Sequence, residues 1–186
     1  MPTKASKIRN REVKHSKTRN LLKEAMVELL EEKSFDSITT SELVAKAGVS
    51  RSSFYTHYQD KYDLIEAYQA ELFSTITYIF TKNENEPEAT LIEVYRFIDR
   101  NPIYAGLFSE NGSKEIQQFF LSKLRQLFEQ LILPARLDGR GIVASHQHYV
   151  SIYYANAIFG LTQAWIRDKK RESPEVLTAL ILQLIE

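Results

Sequence analysis

The amino-acid sequence predicts an all-α protein of about nine helices, divided between an N-terminal three-helix domain and a C-terminal helical bundle. Apolar residues recur at intervals of three and four along the chain, whereas the alternation typical of strands is absent. Six glycines and five prolines among 186 residues leave few positions at which a helix would break. With 44% hydrophobic and 26% charged residues, the chain has the composition of an ordinary globular protein that buries a core.

The charge distribution separates the N-terminus from the rest of the chain. Residues 1–23 carry eight lysines and arginines and one acid, for a net charge of +7, whereas residues 24–186 carry sixteen and twenty-three, for −7. A basic segment before an acidic body is either a solvated tail or an arm that binds nucleic acid. We predict a basic arm over residues 1–15 and expect it to be disordered in the free protein.

The composition also bears on where the protein acts. The charged N-terminus is not followed by an apolar stretch, which argues against a signal peptide, and the absence of cysteine fits a reducing compartment. Residues 141–166 contain no Asp, Glu, Lys or Arg, but five His, Asn and Gln side chains interrupt this stretch. A helix buried at an oligomer interface is therefore a better interpretation than a membrane span. We expect a cytoplasmic protein that does not contact a membrane.

The first helix is marked by an apolar stripe between about Lys17 and Glu32. Its members, at helical spacing, are Leu22, Ala25, Met26, Leu29 and Leu30. Phe35 and Ile38 follow in the connection, where they are expected to fill the core. This helix opens an N-terminal domain that we predict over residues 16–62.

Two short helices follow, and local signals predict their ends. Thr39 and Glu42 have the spacing of a capping box, so the second helix should begin directly after Thr39. Gly48 should end that helix in the left-handed conformation, and Ser50 should cap a third helix over roughly residues 51–57. Two short helices joined by a turn that contains glycine form a helix-turn-helix.

The remaining helices are predicted within a C-terminal domain over residues 63–186. Asp60 is expected to cap a long fourth helix that ends before Lys82. Prolines and polar loops then delimit five more helices. They are expected from Pro87 to about Arg100, over 103–109, from Ser113 to about Leu133, from about Ser145 to Lys169, and from Ser173-Pro174 onward.

Many residues between Thr18 and Ile65 fit the pattern of one protein family. They are Ala25, Leu29, the run Phe35–Thr39, the run Leu43–Ser50, the run Ser53–Tyr58, Asp60, Lys61, Leu64 and Ile65. With these residues in this order, the segment resembles the DNA-binding domain of the TetR family of transcriptional regulators. The rest of the chain resembles that family only in the number and order of its helices. The resemblance implies that Thr40, Tyr55, His57 and Lys61 contact DNA phosphates.

The chemistry of these residues gives a partly independent view of the phosphate contacts. The free N–H groups at the start of the second helix and the Thr40 hydroxyl suit a phosphate. Lys61, at the start of the fourth helix, faces the positive end of the helix dipole and should have an anionic group nearby. The alternatives are that Tyr55 and His57 are packing residues of a three-helix bundle and that Lys61 is a solvated surface lysine.

Base recognition is expected from the first turn of the third helix, at Arg51, Ser52 and Ser53, because that part of a recognition helix enters the major groove. Arg51 can bind guanine O6 and N7 with two parallel hydrogen bonds, or it can clamp a phosphate instead. Ser41, on the second helix, occupies a position from which some family members touch bases.

Aromatic residues are frequent in the C-terminal domain and suggest an effector pocket. A pocket lined by rings with a few polar tips would suit an apolar or aromatic small molecule, although such residues also form ordinary cores. The predicted pocket residues are Tyr95, Tyr104, Phe108, Phe119, Tyr153 and Asn156. No cofactor or metal is expected, since His146 and His148 point to different helix faces. The domain also offers no nucleophile with a matched base, which argues against an enzyme.

A dimer contact is predicted on the last two helices. The residues expected there are Ala155, Ala157, Gly160 and Ala164, which allow close approach, and Ile152, Phe159, Leu177, Leu180 and Leu184, which supply apolar area. A two-fold dimer should bind near-palindromic operator DNA. We therefore expect a homodimeric repressor whose small-molecule effector changes the separation of the recognition helices and releases the operator. The alternative is a scaffold of the same fold whose C-terminal domain docks a protein partner.

Overall fold

The computed structural model describes residues 4–83, 85–132 and 146–185. Within these ranges the chain forms nine α-helices and no strand, which confirms the predicted fold class. The chain divides into two compact units, Met1–Gln69 and Ala70–Glu186. None of the described helices is long and apolar enough to cross a membrane.

The N-terminal unit contains three helices and the start of a fourth. They are α1 (Lys4–Glu32), α2 (Thr40–Lys46), α3 (Arg51–Tyr55) and the first turns of α4 (Lys61–Lys82), with a 3-10 turn at Phe35–Ser37 before α2. Helix α3 ends at Tyr55, two residues before its predicted end. Helix α4 includes Lys82, before which it was predicted to end.

Helix α1 begins at Lys4, well before the predicted start near Lys17. Residues 4–15 are therefore helical, and the expectation of a disordered arm is wrong. The physical reason lies in the sequence, because no glycine or proline occurs between Pro2 and Gly48. Alanine, lysine, arginine and glutamate are strong helix formers, so a helix nucleated on the apolar stripe extends toward the N-terminus.

The helix ends around the turn are formed by the predicted local interactions. Thr39 Oγ1 accepts a hydrogen bond from the Glu42 N–H at 3.2 Å, and Glu42 Oε2 accepts one from the Thr39 N–H at 2.9 Å, which completes the capping box. Gly48 has a φ of 63°, the left-handed conformation that glycine adopts most readily. Ser50 Oγ accepts a hydrogen bond from the Ser53 N–H at 3.0 Å and caps α3. The helix-turn-helix is thus held by its own caps.

The core of the N-terminal unit is built from the predicted apolar stripe of α1. All five members of the stripe are buried, together with Phe35 and Ile38 in the connection. Leu43 on α2, Phe54 on α3 and Leu64 on α4 are also fully buried. Burying a side chain of this size stabilises a fold by about 1.5–3 kcal/mol, so these residues fix the position of the short helices.

The C-terminal unit contains the rest of α4 and five further helices. They are α5 (Pro87–Arg100), α6 (Pro102–Phe108), α7 (Lys114–Leu127), α8 (Gln147–Arg167) and α9 (Pro174–Ile185). A π-helical turn at Phe128–Ile132 continues α7. Helix α8 packs against α6, α7 and this turn, while α9 packs against α5. The predicted end of the seventh helix near Leu133 lies outside the described residues, as does the predicted start of the eighth at Ser145.

Candidate nucleic-acid interface

Arg51 and Ser41 meet on the surface of the helix-turn-helix. Arg51 is the first residue of α3, and its Nη2 donates a hydrogen bond of 2.8 Å to Oγ of Ser41, the second residue of α2. Both residues are exposed. Arg51 was predicted to read a base, and Ser41 was predicted as a possible base contact on the second helix. The structure brings these two residues together.

The other predicted residues of α3 differ in exposure. Ser52 is exposed, while Ser53 is half-buried and its backbone N–H is used in the cap of the helix. Tyr55 is 59% exposed, with its ring edge-to-face against the Phe54 ring at 5.4 Å. Because Phe54 is fully buried, it anchors the exposed tyrosine at the end of α3. His57, just beyond the helix, is half-buried.

Lys61 has surroundings that the sequence did not reveal. It is 7% exposed, and its ammonium group donates hydrogen bonds to the backbone oxygens of Phe35 at 2.7 Å and Asp36 at 2.8 Å. The ammonium nitrogen also lies 4.8 Å from the Phe35 ring centroid and 5.1 Å from that of Tyr62. Burial lowers the pKa of the Lys61 ammonium. The alternative of a solvated surface lysine is wrong. An anionic group was expected near the ammonium, but its hydrogen-bond partners are two neutral backbone carbonyl oxygens.

Helix α2 is held to α1 by ion pairs. Lys33 donates to the Glu42 carboxylate, and Lys46 pairs with Glu28 at 3.2 Å and Glu32 at 3.0 Å. The hydrogen bonds from Lys33 and then from Thr39 lower the pKa of Glu42 to about 2. The hydrogen bonds that the Lys46 ammonium donates to Glu32 and Glu28 raise the pKa of Lys46. These pairs link α2 to α1 and to the residue directly after α1, and they give Lys33 and Lys46 acidic partners.

The predicted effector residues do not form one group. Tyr95, Tyr104 and Phe108 are fully buried in the C-terminal unit. Phe119 is half-buried and stacks on Phe73, with ring centroids 3.8 Å apart. Tyr153, by contrast, is 68% exposed. Tyr153 is therefore apart from the buried aromatic residues, and its role in effector binding stays a prediction.

Asn156 is also exposed, and its Nδ2 donates to the backbone oxygen of Ile152 one turn earlier in α8. Like that of Tyr153, its role in effector binding stays a prediction. Both residues lie on the face of α8 opposite to the one that carries Ala155 and Phe159, which are buried. Because α8 contains no acidic residue and a single basic one, its sequence has no charged stripe to show which face is exposed.

The last two helices expose a set of large apolar side chains. They are Tyr149 and Tyr153 on α8 and Val176, Leu180 and Leu184 on α9. Ala157 and Gly160 are exposed on α8 as well, and a Cβ added at Gly160 would meet no atom within 4 Å. Phe159, Ala155 and Leu177, which were expected at a dimer contact, are buried inside the protomer instead. The sequence prediction of the dimer contact missed Tyr149 and Val176. Tyr149 lies four residues before the exposed Tyr153, and Val176 lies four residues before the exposed Leu180, which is the spacing of one helix face.

The capped helix-turn-helix, with exposed polar residues on the first turn of its second helix, defines the class of a helix-turn-helix DNA-binding protein. Comparisons with known proteins agree with this class. A family model described as "Bacterial regulatory proteins, tetR family" matches residues 22–68. A second one, described as "Transcriptional regulator C-terminal region", matches residues 84–186. The chain belongs to the TetR family of bacterial transcriptional regulators.

Individual relatives are distant in sequence. A curated relative, the "Uncharacterized HTH-type transcriptional regulator YxbF" of Bacillus subtilis (strain 168), is 25% identical over 174 residues. This alignment covers 88% of the chain but 43% of the relative, so the chain spans less than half of that protein's length.

Solved structures of similar fold include a TetR transcriptional regulator from Streptococcus agalactiae 2603V. It is 20% identical, with 96% of this chain and 99% of that chain covered and a TM-score of 0.59. The fatty acid degradation regulator FadR from Bacillus halodurans is 15% identical, with 90% and 94% covered and a TM-score of 0.60. At these identities the likeness supports the fold of the chain.

Proposed function

We propose that the protein is a homodimeric repressor that binds a near-palindromic operator and leaves it when a small molecule binds the C-terminal unit. The observation that carries the DNA-binding part is the exposed first turn of α3. There Arg51 and Ser52 lie on a helix whose caps and buried Phe54 fix its position. A rigid, exposed first turn is what a recognition helix needs to place side chains against base edges in the major groove.

Arg51 reads a base in this proposal, and the residues around it position the helix on the DNA backbone. Four further residues remain proposed contacts because none of them is fully buried. Tyr55 is exposed, and Thr40, Ser53 and His57 are half-buried. We leave Lys61 out of the phosphate-binding residues. Its ammonium group is buried and already bonded to two carbonyl oxygens, so a phosphate would have to displace existing hydrogen bonds.

The helical segment before residue 16 adds affinity without sequence preference in this proposal. Lysines and arginines that neutralise phosphates release counterions, so their contribution falls as the salt concentration rises. A helical rather than a disordered arm does not change this expectation, because the effect depends on charge near the DNA.

The dimer forms through the exposed apolar side chains of α8 and α9. Tyr149 and Tyr153 lie one turn apart on α8, and Val176, Leu180 and Leu184 repeat at the same spacing on α9. Exposed apolar side chains grouped in this way mark interaction surfaces, and a two-fold contact buries the same residues from both copies. The exposed Gly160 supports this proposal, since glycine inside a helix costs about 0.5–1 kcal/mol relative to alanine and a partner helix could approach closely there.

The effector site is proposed among the buried aromatic residues Tyr95, Tyr104 and Phe108, with Phe119 at its edge. Tyr95 has its hydroxyl 2.9 Å from Thr162 Oγ1 and its ring edge-to-face with Trp165 at 5.5 Å. The same close contacts favour a second candidate function, in which this interior is an ordinary core and a protein partner binds the exposed apolar face. A thermal-shift screen with metabolites separates the two, because a ligand that binds the native state raises its stability.

The proposal is tested by sequencing the genomic fragments that the purified protein retains. A two-fold dimer should enrich an inverted repeat whose half-sites are about 34–36 Å apart, or a multiple of that distance. Enrichment of single, unpaired sites would contradict the dimeric mode of binding. Retention of random fragments would contradict sequence-specific binding itself.

A further inference from the structure

We propose that Ser41 is a positioning residue that sets the base preference of the protein by orienting the Arg51 guanidinium. The inference rests on the proposed function, in which Arg51 reads a base. The evidence for it is the hydrogen bond of 2.8 Å that Arg51 Nη2 donates to Ser41 Oγ, which joins the first residue of α3 to the second residue of α2.

The hydrogen bond leaves the arginine able to bind DNA. A guanidinium has five N–H donors, and Ser41 accepts from one of them. In the part of the chain that the structure describes, no carboxylate pairs with Arg51, whereas Lys33 and Lys46 are paired with acids of α1 and α2. Arg51 therefore has several donors left for a base, and a guanine can accept two of them side by side.

Ser41 is fixed firmly enough to orient a long side chain. It directly precedes Glu42, whose carboxylate closes the capping box with Thr39 and also binds Lys33, the residue directly after α1. A serine on this anchored turn presents its oxygen at a defined place. Arginine at the start of α3 would otherwise sample many rotamers, and the oxygen selects among them before DNA arrives.

The expected effect follows from the ordering of one flexible side chain. Immobilising such a side chain on binding costs about 0.5–1.5 kcal/mol, which corresponds to a factor of about 2–12 in affinity. Loss of the Ser41 hydroxyl should remove this factor at the base that Arg51 reads. It should leave the other operator positions unchanged, because the serine acts through the arginine.

The experiment measures binding of the full chain to its selected operator and to operators with each half-site base pair replaced in turn. Arg51→Ala should abolish the preference at one position per half-site. Ser41→Ala should weaken the preference at the same position about 2–12-fold, and Ser41→Thr, which keeps a hydroxyl, should restore it. The double variant should bind like Arg51→Ala alone. Ser74→Ala, which removes an exposed hydroxyl from α4, serves as the control.

The outcomes distinguish this inference from the proposed function. If Ser41→Ala weakens all operators equally, alters a different position or adds its effect to that of Arg51→Ala, the positioning role is wrong while base reading by Arg51 stands. If Arg51→Ala leaves every base preference unchanged, the base-reading role falls and the inference falls with it. Thermal unfolding of Ser41→Ala should match that of the wild type, and a lowered midpoint would instead assign the effect to folding.

Discussion

Replacement of Lys61 by methionine separates a structural lysine from a phosphate-binding one. Methionine keeps most of the buried stem but removes the ammonium group, so the hydrogen bonds to the Phe35 and Asp36 oxygens are lost. The Phe35 oxygen still accepts from the Ile38 N–H at 3.2 Å. We expect Lys61→Met to lower the stability of the fold and to leave the salt dependence of DNA binding unchanged.

The magnitude follows from the two bonds and from the burial that opposes them. Hydrogen bonds from a charged donor contribute about 1.5–3 kcal/mol each, and removal of the buried ammonium also removes its desolvation cost. A net loss of about 1–3 kcal/mol is therefore expected. For a chain of this size it lowers the melting temperature by roughly 2–12 °C.

Circular dichroism during thermal unfolding and fluorescence anisotropy of labelled operator at several salt concentrations measure both quantities. A lost phosphate contact would reduce the log–log salt slope by about 0.9. Lys114→Met, at an exposed lysine of α7, is the matched control for loss of one positive charge. An unchanged melting temperature together with a reduced slope for Lys61→Met would refute the structural assignment.

Three further predictions concern the core, the dimer and the capping box. Thr178→Val should stabilise the protein by about 1 kcal/mol in chemical denaturation, because the Thr178 hydroxyl is buried without a hydrogen-bond partner. Thr162→Val should destabilise the protein by about 1–3 kcal/mol, because it leaves the buried Tyr95 hydroxyl without a partner. Equal effects of the two variants on stability would contradict this reasoning. The double variant Tyr153→Glu, Leu184→Glu should sediment as a folded monomer, and a persistent dimer would exclude this interface. The stabilisation from the ionised Glu42 carboxylate should be present above its unfolded pKa near 4.5 and should disappear as the pH falls toward its folded pKa of about 2. Glu42→Gln should therefore flatten the dependence of the free energy of unfolding on pH between these two values.

These tests treat the two units of the chain separately. A change in α2 or α3 is expected to alter operator binding, whereas a change on the exposed face of α8 or α9 is expected to alter assembly. Since a half-site contact is weak without its symmetric counterpart, loss of the dimer should lower operator affinity even though the helix-turn-helix is intact. Measurement of both properties on each variant shows which unit it has affected.

The sequence by itself predicted the features that depend on neighbouring residues. The Thr39 and Glu42 capping box, the Gly48 turn and the Ser50 cap each join residues three or fewer positions apart or use one backbone conformation. The apolar stripe of α1 likewise repeats within one helix. Such signals are local, so they can be read without knowledge of the fold.

Only the tertiary structure decided which faces and side chains were already engaged. Lys61 is bonded to carbonyl groups 25 and 26 residues away, and a lysine at the start of a helix looks the same in sequence whether or not such groups face it. Tyr153 is exposed and Phe159 buried because α7 packs against one face of α8, a helix that lacks a charged stripe to mark its other face. Local periodicity determines that a helix forms, but the burial of each of its faces depends on partners distant in the chain.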